Sequence, residues 1–438
     1  MKLSEIAKAI SGKLYGADVE IDSYTIDSRD IGNNSLFIPL RGENADGHSF
    51  IDSFFENDGI ACLSEKVLAG KDYILVENTK QALIDLAKYY RGKFTFPVVA
   101  ITGSVGKTST RNMIASVLYV KYNIAQTIGN FNNEIGLPLS ILNGINNDTQ
   151  VGVFEIGMNH LGEIDFLSDI LKPDYAIITN IGTAHIGNLG SQENILKAKF
   201  EVFNHISLTG TGIINADDKL LYDNKSKIPC RTLTYGIENY LADVKTADIV
   251  GTLSGYKFIV DDYTYDLNLL GKHNIYNALS AITIAKDFGL TDDQIQTGFN
   301  NLSSVSGRQD VIDLGDFVLI DDCYNASKDS MIASLDLLYK LGKGKKKIAV
   351  LGSMLELGEF SDTLHREVGE HVKDIDLLVT VGTEAEKIAE KAEATNIIKV
   401  GTADAVIENL TDLTGSVILL KGSHGIGLQK VADKLKEK

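Results

Sequence analysis

The stretch Gly103-Ser104-Val105-Gly106-Lys107-Thr108-Ser109 constrains this chain more than any other, because it joins an apolar run (Phe96 to Thr102) to a helix-like segment (Arg111 to Val120). A strand that turns on glycines and enters a helix at Lys-Thr makes a phosphate cradle. The glycines let backbone N–H groups converge on phosphate oxygens at a helix N-terminus, Lys107 adds a fixed positive charge, and the Thr108 hydroxyl is suited to bind Mg2+. The loop is shorter than the common one: where a P-loop has a glycine about five residues before its Gly-Lys pair, this chain has Ile101. A plain glycine turn is the alternative, and packing alone does not account for Lys-Thr in that place.

The residues around the loop set the fold class. From Pro97 onward the apolar runs Val98 to Thr102, Val151 to Met158, Tyr175 to Ile181 and Gly212 to Asn215 alternate with helical stretches, which implies an α/β fold with a buried, mainly parallel sheet. Short alternating strands between Asp243 and Leu270 predict an antiparallel patch appended to that domain. Helices over Asn274 to Phe288 and Asp292 to Leu302 then lead to Ser303-Ser304-Val305-Ser306-Gly307, a hinge in composition. Beyond it, Phe317 to Ile320, Lys347 to Leu351, Leu377 to Val381, Ile397 to Val400 and Val417 to Leu420 predict five buried strands in a doubly wound, Rossmann-like domain. Residues 1–96 read as a small mixed α/β unit, with helices at Leu3 to Ile10 and Gln81 to Arg91. The expected division is therefore 1–96, 97–306 and 307–438.

Composition narrows the function. A formal net charge of −17 argues against nucleic acid or an anionic membrane as partner, so any anionic ligand must be held by local groups. Cys62, Cys230 and Cys323 lack metal-ligand spacing and read as reduced thiols of a cytoplasmic protein. Met1 to Ile6 carry no apolar signal core, and no stretch approaches the roughly 18 apolar residues of a membrane span.

Further groups cluster at strand ends, where doubly wound sheets bind ligands. Glu155 ends one strand and is either solvated or a metal ligand; His185 follows the next and is either structural or a metal ligand. Asn130 to Pro138 form a polar loop that reads on composition as an asparagine turn and helix cap. Asp321 to Ala326 put carboxylates and amides at the end of the first strand of the last domain, where they either cap the next helix or meet a ligand. Arg308, next to the hinge, is either a surface arginine or one that reaches a phosphate on the neighbouring domain.

Taken in order, these segments resemble the Mur ligase family over nearly the whole length, and within it the members that add D-alanyl-D-alanine. Asp27-Ser28-Arg29, Leu36 to Gly42 and Asp46-Gly47-His48 resemble the family's uridine-nucleotide segment. Thr102 to Thr108 resemble its shortened P-loop, Asn130 to Pro138 its asparagine loop, and Glu155 to Ile164 its metal-binding strand end. Gly271 to Ala278 resemble its adenine segment; Asp321 to Asn325 and Leu355-Glu356-Leu357-Gly358 resemble its C-terminal signatures.

The resemblance implies an ATP-dependent amide ligase that joins D-alanyl-D-alanine to UDP-N-acetylmuramoyl-tripeptide through an acyl phosphate, acting in the cytoplasm as a monomer. It implies Gly103, Gly106, Lys107, Thr108 and Ser109 on the ATP phosphates, Asn274 and Asn277 at adenine, Asp322 at the ribose and Arg308 at phosphate. It implies Thr108 and Glu155 on one Mg2+, and His185 on a second. Lys199 would be carbamylated, turning a cation into an anionic metal ligand, while Lys197, two residues away, points to another helix face. Lys107, Lys199 and His185 are then the catalytic set. Ser28, Arg29, Arg41, Asp46, His48, Asn133, Asn159, Tyr324 and Asn325 are its substrate contacts. Ser327-Lys328 and His424 depart from the family's usual Asn-Pro and Arg. The competing readings are a sister ligase with another amine, including one that adds glutamate to folate, and a nucleotide-switched binding protein.

Overall fold

A computed structural model describes residues 1–42, 45–252, 254–302 and 307–437; of the expected hinge, Ser303 to Ser306 lie outside the described residues. The central sheet has seven parallel strands in the order Val244–Lys245, Arg231–Gly236, Thr211–Asn215, Tyr175–Ile178, Val98–Thr102, Val151–Glu155 and Ile124–Gln126. Val98–Thr102 and Val151–Glu155 are buried at every position, as strands covered on both faces must be. Successive side chains feed two cores. Val99 and Ile101 pack with Met113, Val117, Leu279 and Ile282 on one face, while Val98 and Ala100 pack with Leu137, Ile164, Leu167 and Ile195 on the other.

Strand order reverses beside Val98–Thr102, with later strands running to both of its sides, so a crevice opens at the carboxyl ends there. The segment expected as Arg111 to Val120 forms the helix Lys107–Leu118, which places Lys107 and Thr108 in the first turn. Val244–Lys245, assigned from sequence to the antiparallel patch, instead extends the central sheet, and the patch proper is Ala247–Gly251, Tyr256–Val260 and Tyr263–Leu267.

The N-terminal sheet runs Lys13–Tyr15, Tyr73–Leu75, Ala61–Ser64, Ser35–Phe37 and Ser23–Thr25, parallel except for the first strand. It is fixed to the central domain by buried Arg91, whose Nε donates to Leu171 O at 3.2 Å. Asn143 adds a second tie, since its side chain bonds both backbone groups of Tyr24. The C-terminal sheet contains the five expected parallel strands and one more, Asp310–Asp313, antiparallel at the edge beside Val318–Asp322. Lys340 of this domain lies over the Tyr256 ring of the antiparallel patch, 4.5 Å from its centroid. The three cysteines are free, and burial pushes the Cys62 thiol up to about 12. Among the described residues no helix is long and apolar enough to cross a membrane.

One close approach sets the position of the helix that carries Lys107. Helix Asp292–Asn300 crosses Lys107–Leu118 at Gly298, where an added Cβ would lie 2.4 Å from Val117 Cα. Gly298→Ala is therefore expected to destabilise the protein by about 1–3 kcal/mol, read as a lower urea midpoint with an unchanged slope.

Candidate active site

The phosphate loop is shaped by residues distant in sequence. Gly103 has φ +149°, and a Cβ there would sit 1.8 Å from Thr179 Oγ1, so both conformation and space demand glycine. Thr179 Oγ1 donates to Val105 O at 2.7 Å, and Asn180 Nδ2 donates to the same oxygen at 2.9 Å. In return Val105 N–H donates to Asn180 Oδ1 at 2.9 Å. The loop is thus fastened to the end of the neighbouring strand. Lys107 Nζ donates to the carbonyls of Gly103 and Ser104, at 2.9 and 3.4 Å. Burial lowers its pKa, Glu155 works against that, and Arg308 adds to it.

Below the loop, Thr108 Oγ1 donates to Glu155 Oε2 at 2.6 Å, and Asn132 Nδ2 donates to Glu155 Oε1 at 2.7 Å. Glu155 is 2% exposed. A hydroxyl and a carboxylate are the hard oxygens Mg2+ takes, and among the described residues no group of three or more His, Cys, Asp or Glu could hold a metal unaided. An incomplete protein set suits Mg2+, which is usually held by one or two carboxylates together with substrate phosphates. Lys199, on helix Gln192–Phe200, is also 2% exposed and faces the same cleft, whereas Lys197 is exposed to solvent. Burial first, then the charge of Lys107, push the Lys199 pKa well below its ordinary value, and no anion opposes them. A neutral amine is the form that takes up carbon dioxide, so the surroundings fit a carbamate.

The C-terminal domain forms the opposite wall of this cleft, whose volume is about 1000 Å3. Arg308 lies over the Tyr324 ring at 3.9 Å. Asp322 Oδ2 takes Lys421 Nζ at 2.6 Å and the Ser334 hydroxyl at 2.6 Å. Asn325 Oδ1 accepts from Ala326 N–H at 2.8 Å. His185 Nδ1 lies 2.5 Å from Glu356 Oε2 across the domain boundary, close but out of line for a full hydrogen bond. That imidazole is the main cause holding the Glu356 carboxyl below its usual value.

The cleft therefore gathers Gly106, Lys107, Thr108, Ser109, Glu155, His185, Lys199, Asn274, Arg308, Asp322, Tyr324 and Asn325, together with Asn133 and Asn159. Asn133 Oδ1 caps the Ile135 and Gly136 amides at 3.2 and 2.8 Å, so the turn-and-cap reading holds for it, and Asn132 is the residue that reaches Glu155. Asn277 does not line the cleft; its Oδ1 accepts from Thr110 Oγ1 at 3.0 Å and its Nδ2 donates to Asn274, tying two helices together. Nor do Ser28, Arg29, Arg41, Asp46 and His48 line it. They follow the parallel strands of the N-terminal sheet at its carboxyl edge, with Arg41 on Glu65 at 2.5 Å and His48 on Asp46 at 2.7 Å. Sequence reasoning missed Thr179, Asn180, Asn132 and Lys421 as site residues. Only their position at strand ends and in an asparagine run could have marked them.

A phosphate loop, a buried Thr–Glu pair at the next strand end and a Rossmann-like domain across the cleft define a nucleotide-dependent, multi-domain α/β protein. Family profiles match as the Mur ligase catalytic domain (residues 20–91), the Mur ligase middle domain (101–285) and the Mur ligase glutamate ligase domain (307–424). The chain belongs to the Mur ligase family. It is 37% identical to the UDP-N-acetylmuramoyl-tripeptide--D-alanyl-D-alanine ligase of Bacillus subtilis over 99% of this chain and 98% of the relative. Among solved structures it resembles MurF from Acinetobacter baumannii (29% identity, TM-score 0.90, 99% and 98% of the two chains). It also resembles the MurF ligase from Thermotoga maritima in complex with ADP (29% identity, TM-score 0.83, 95% and 97%).

Two measurements test the geometry. Gly103→Ala is expected to weaken ATP binding about tenfold or more, equivalent to about 1.4 kcal/mol, in calorimetric titration, because the loop must leave Thr179. His273, in the cleft wall, has its pKa lowered by burial from 6.5 to about 4. The folded state thus binds that proton less readily than the unfolded chain, and the stability it contributes is complete above pH 6.5 and falls as pH drops toward 4. His273→Asn is expected to flatten denaturation midpoints over that window.

Proposed function

We propose that this chain joins D-alanyl-D-alanine to UDP-N-acetylmuramoyl-tripeptide with hydrolysis of ATP to ADP and phosphate, in the cytoplasmic synthesis of peptidoglycan precursors, and that it works as a monomer. The observation that carries the reading is the meeting, in one cleft, of a shortened phosphate loop, the buried Thr108–Glu155 pair and the uncompensated Lys199. The full-length identity to ligases of that name supports the choice of amine.

In this reading residues 1–96 bind the nucleotide sugar through Ser28, Arg29, Arg41, Asp46 and His48, residues 97–306 bind ATP, and residues 307–438 close over both. A carboxylate oxygen of the tripeptide attacks the γ-phosphorus, the bond to the bridging oxygen breaks, and ADP leaves. The dipeptide amine then attacks the acyl carbon of the acyl phosphate, the C–N bond forms, and phosphate departs with the C–O electron pair while the amine loses a proton. Lys107 draws charge from the transferring phosphoryl group, and the loop amides hold its oxygens in line. Thr108 and Glu155 would hold Mg2+, with His185 and a carbamylated Lys199 at a second site; the metal would neutralise charge between triphosphate and carboxylate. Asn274 would contact adenine, and Asp322 and Arg308, which line the same cleft, would reach the ribose and phosphates. Closure excludes water from the acyl phosphate, which would otherwise hydrolyse.

ADP formation measured with and without each substrate tests this. It is expected to require both the muramyl tripeptide and D-alanyl-D-alanine. Turnover indifferent to them would indicate a nucleotide switch, and turnover with a different amine would indicate a sister ligase. For the carbamate, wild type is expected to respond to bicarbonate and to carry the added mass of one carbon dioxide, whereas Lys199→Ala does neither and loses about two orders of magnitude in kcat.

A further inference from the structure

Three side-chain polar atoms of residues lining the main cleft are buried without a hydrogen-bond partner among the described residues: Thr183 Oγ1, His185 Nδ1 and Gln309 Oε1. A phosphate oxygen needs a donor, which Gln309 Oε1 is not, and His185 Nδ1 lies 2.5 Å from Glu356 Oε2. Thr183 is 7% exposed and carries the one donor of the three that has no acceptor beside it. Resting on the ligase reading above, we propose that the Thr183 hydroxyl is a catalytic donor to the phosphoryl group in transfer: it meets the terminal phosphate of ATP and stays with that group on the acyl phosphate.

The residues just before Thr183 tie it to the phosphate loop. Gly182 N–H donates to Ser104 Oγ at 2.9 Å, and Ser104 N–H donates to Asn180 O at 3.0 Å. Ile181 N–H donates to Asp218 Oδ2 at 2.6 Å. Segment 180–182 is thus stitched to the loop on one side and to the carboxylate after the next strand on the other. Thr183 O then accepts from Ile186 N–H at 3.2 Å, which fixes the turn that follows. Ser104 also marks which phosphate is near. Lys107 Nζ donates to the carbonyls of Gly103 and Ser104, and the lysine of such a loop serves the β- and γ-phosphates. Ser104, and Thr183 one residue past its partner, therefore stand at the outer end of the triphosphate.

Energetics separate this hydroxyl from its neighbours. Thr108 Oγ1 is engaged by Glu155 and the Tyr276 hydroxyl by Asp217, so both are satisfied in the protein alone. A buried hydroxyl with no partner instead costs the ligand-free fold free energy, and a valine of the same shape would avoid that cost. Such local defects belong to functional sites, where an incoming ligand completes them. Here the completing atom is an oxygen of the transferring phosphoryl group, over whose oxygens the charge is spread as the bond to ADP breaks. A donor already fixed by the turn meets that charge without reorganising. The hydroxyl keeps its proton throughout, so the chemistry remains the phosphoryl transfer described above.

Thr183→Val and Thr183→Ser test the assignment. Valine is expected to lower kcat about tenfold or more. In calorimetric titration it is expected to weaken ATP about tenfold while leaving ADP, which lacks the terminal phosphate, unchanged. Serine, which keeps the O–H, is expected to recover most of both losses. With the unpartnered group gone, the urea midpoint of ligand-free Thr183→Val is expected to equal or exceed that of wild type. The assignment is overturned if valine leaves kcat and ATP affinity unaltered, if ATP and ADP weaken equally, or if the midpoint falls, which would make the hydroxyl a structural group. A wild type that binds ATP but forms no product from the muramyl tripeptide and the dipeptide overturns the ligase reading instead, and the contrast between ATP and ADP in the valine variant still decides the contact.

Discussion

Around the phosphate loop, the site sets three buried cations against the buried carboxylate of Glu155. Lys107, Lys199 and Arg111 are all withdrawn from water, and in each case burial is the main cause lowering the pKa, while Glu155 is the one anion opposing it at Lys107 and the first at Arg111. Such an excess is costly in a protein interior unless an anion completes it. This happens in a chain of net charge −17, whose overall field would repel a polyphosphate. Attraction must therefore act at short range, through the loop amides and the cations behind them, and the rest of the architecture serves to hold those groups in place.

That requirement explains which features were legible in the sequence. Gly103 to Thr108 could be read directly because glycine, lysine and threonine are demanded by local geometry, and the buried strands could be read because parallel sheets leave unbroken apolar runs. Asn180 and Thr179 could not be recognised as the brace of the loop, since the pairing crosses about 75 residues and depends on two strands lying side by side. Asn277 shows the same limit in reverse: its segment is near the nucleotide loop, but its amide faces Thr110 within the helix pair. Asp310–Asp313 escaped, and Val244–Lys245 was assigned to the wrong sheet, because short strands flanked by charge carry little periodic signal and tertiary pairing decides them.

The C-terminal signature Leu355 to Gly358 gains a physical meaning from its contacts. His365 accepts the Met354 amide at one ring nitrogen, and its other ring nitrogen lies 2.7 Å from Ser361 O, which fixes the turn that presents Glu356 to the central domain. Burial keeps that imidazole from protonating readily. Neighbouring glycines let the backbones touch: Gly187 N–H meets Glu356 O directly, and a side chain at Gly187 would collide with Gly358 N at 2.5 Å.

Lys340 over Tyr256 belongs to the same boundary, far from the chemistry. A cation on an aromatic face at a solvent-reached site contributes about 0.5–1 kcal/mol, close to thermal energy, and it tolerates sliding because the ring has no preferred azimuth. Slippage there costs little, whereas the Gly187–Glu356 hydrogen bond and the close Gly187–Gly358 approach pin the same boundary tightly.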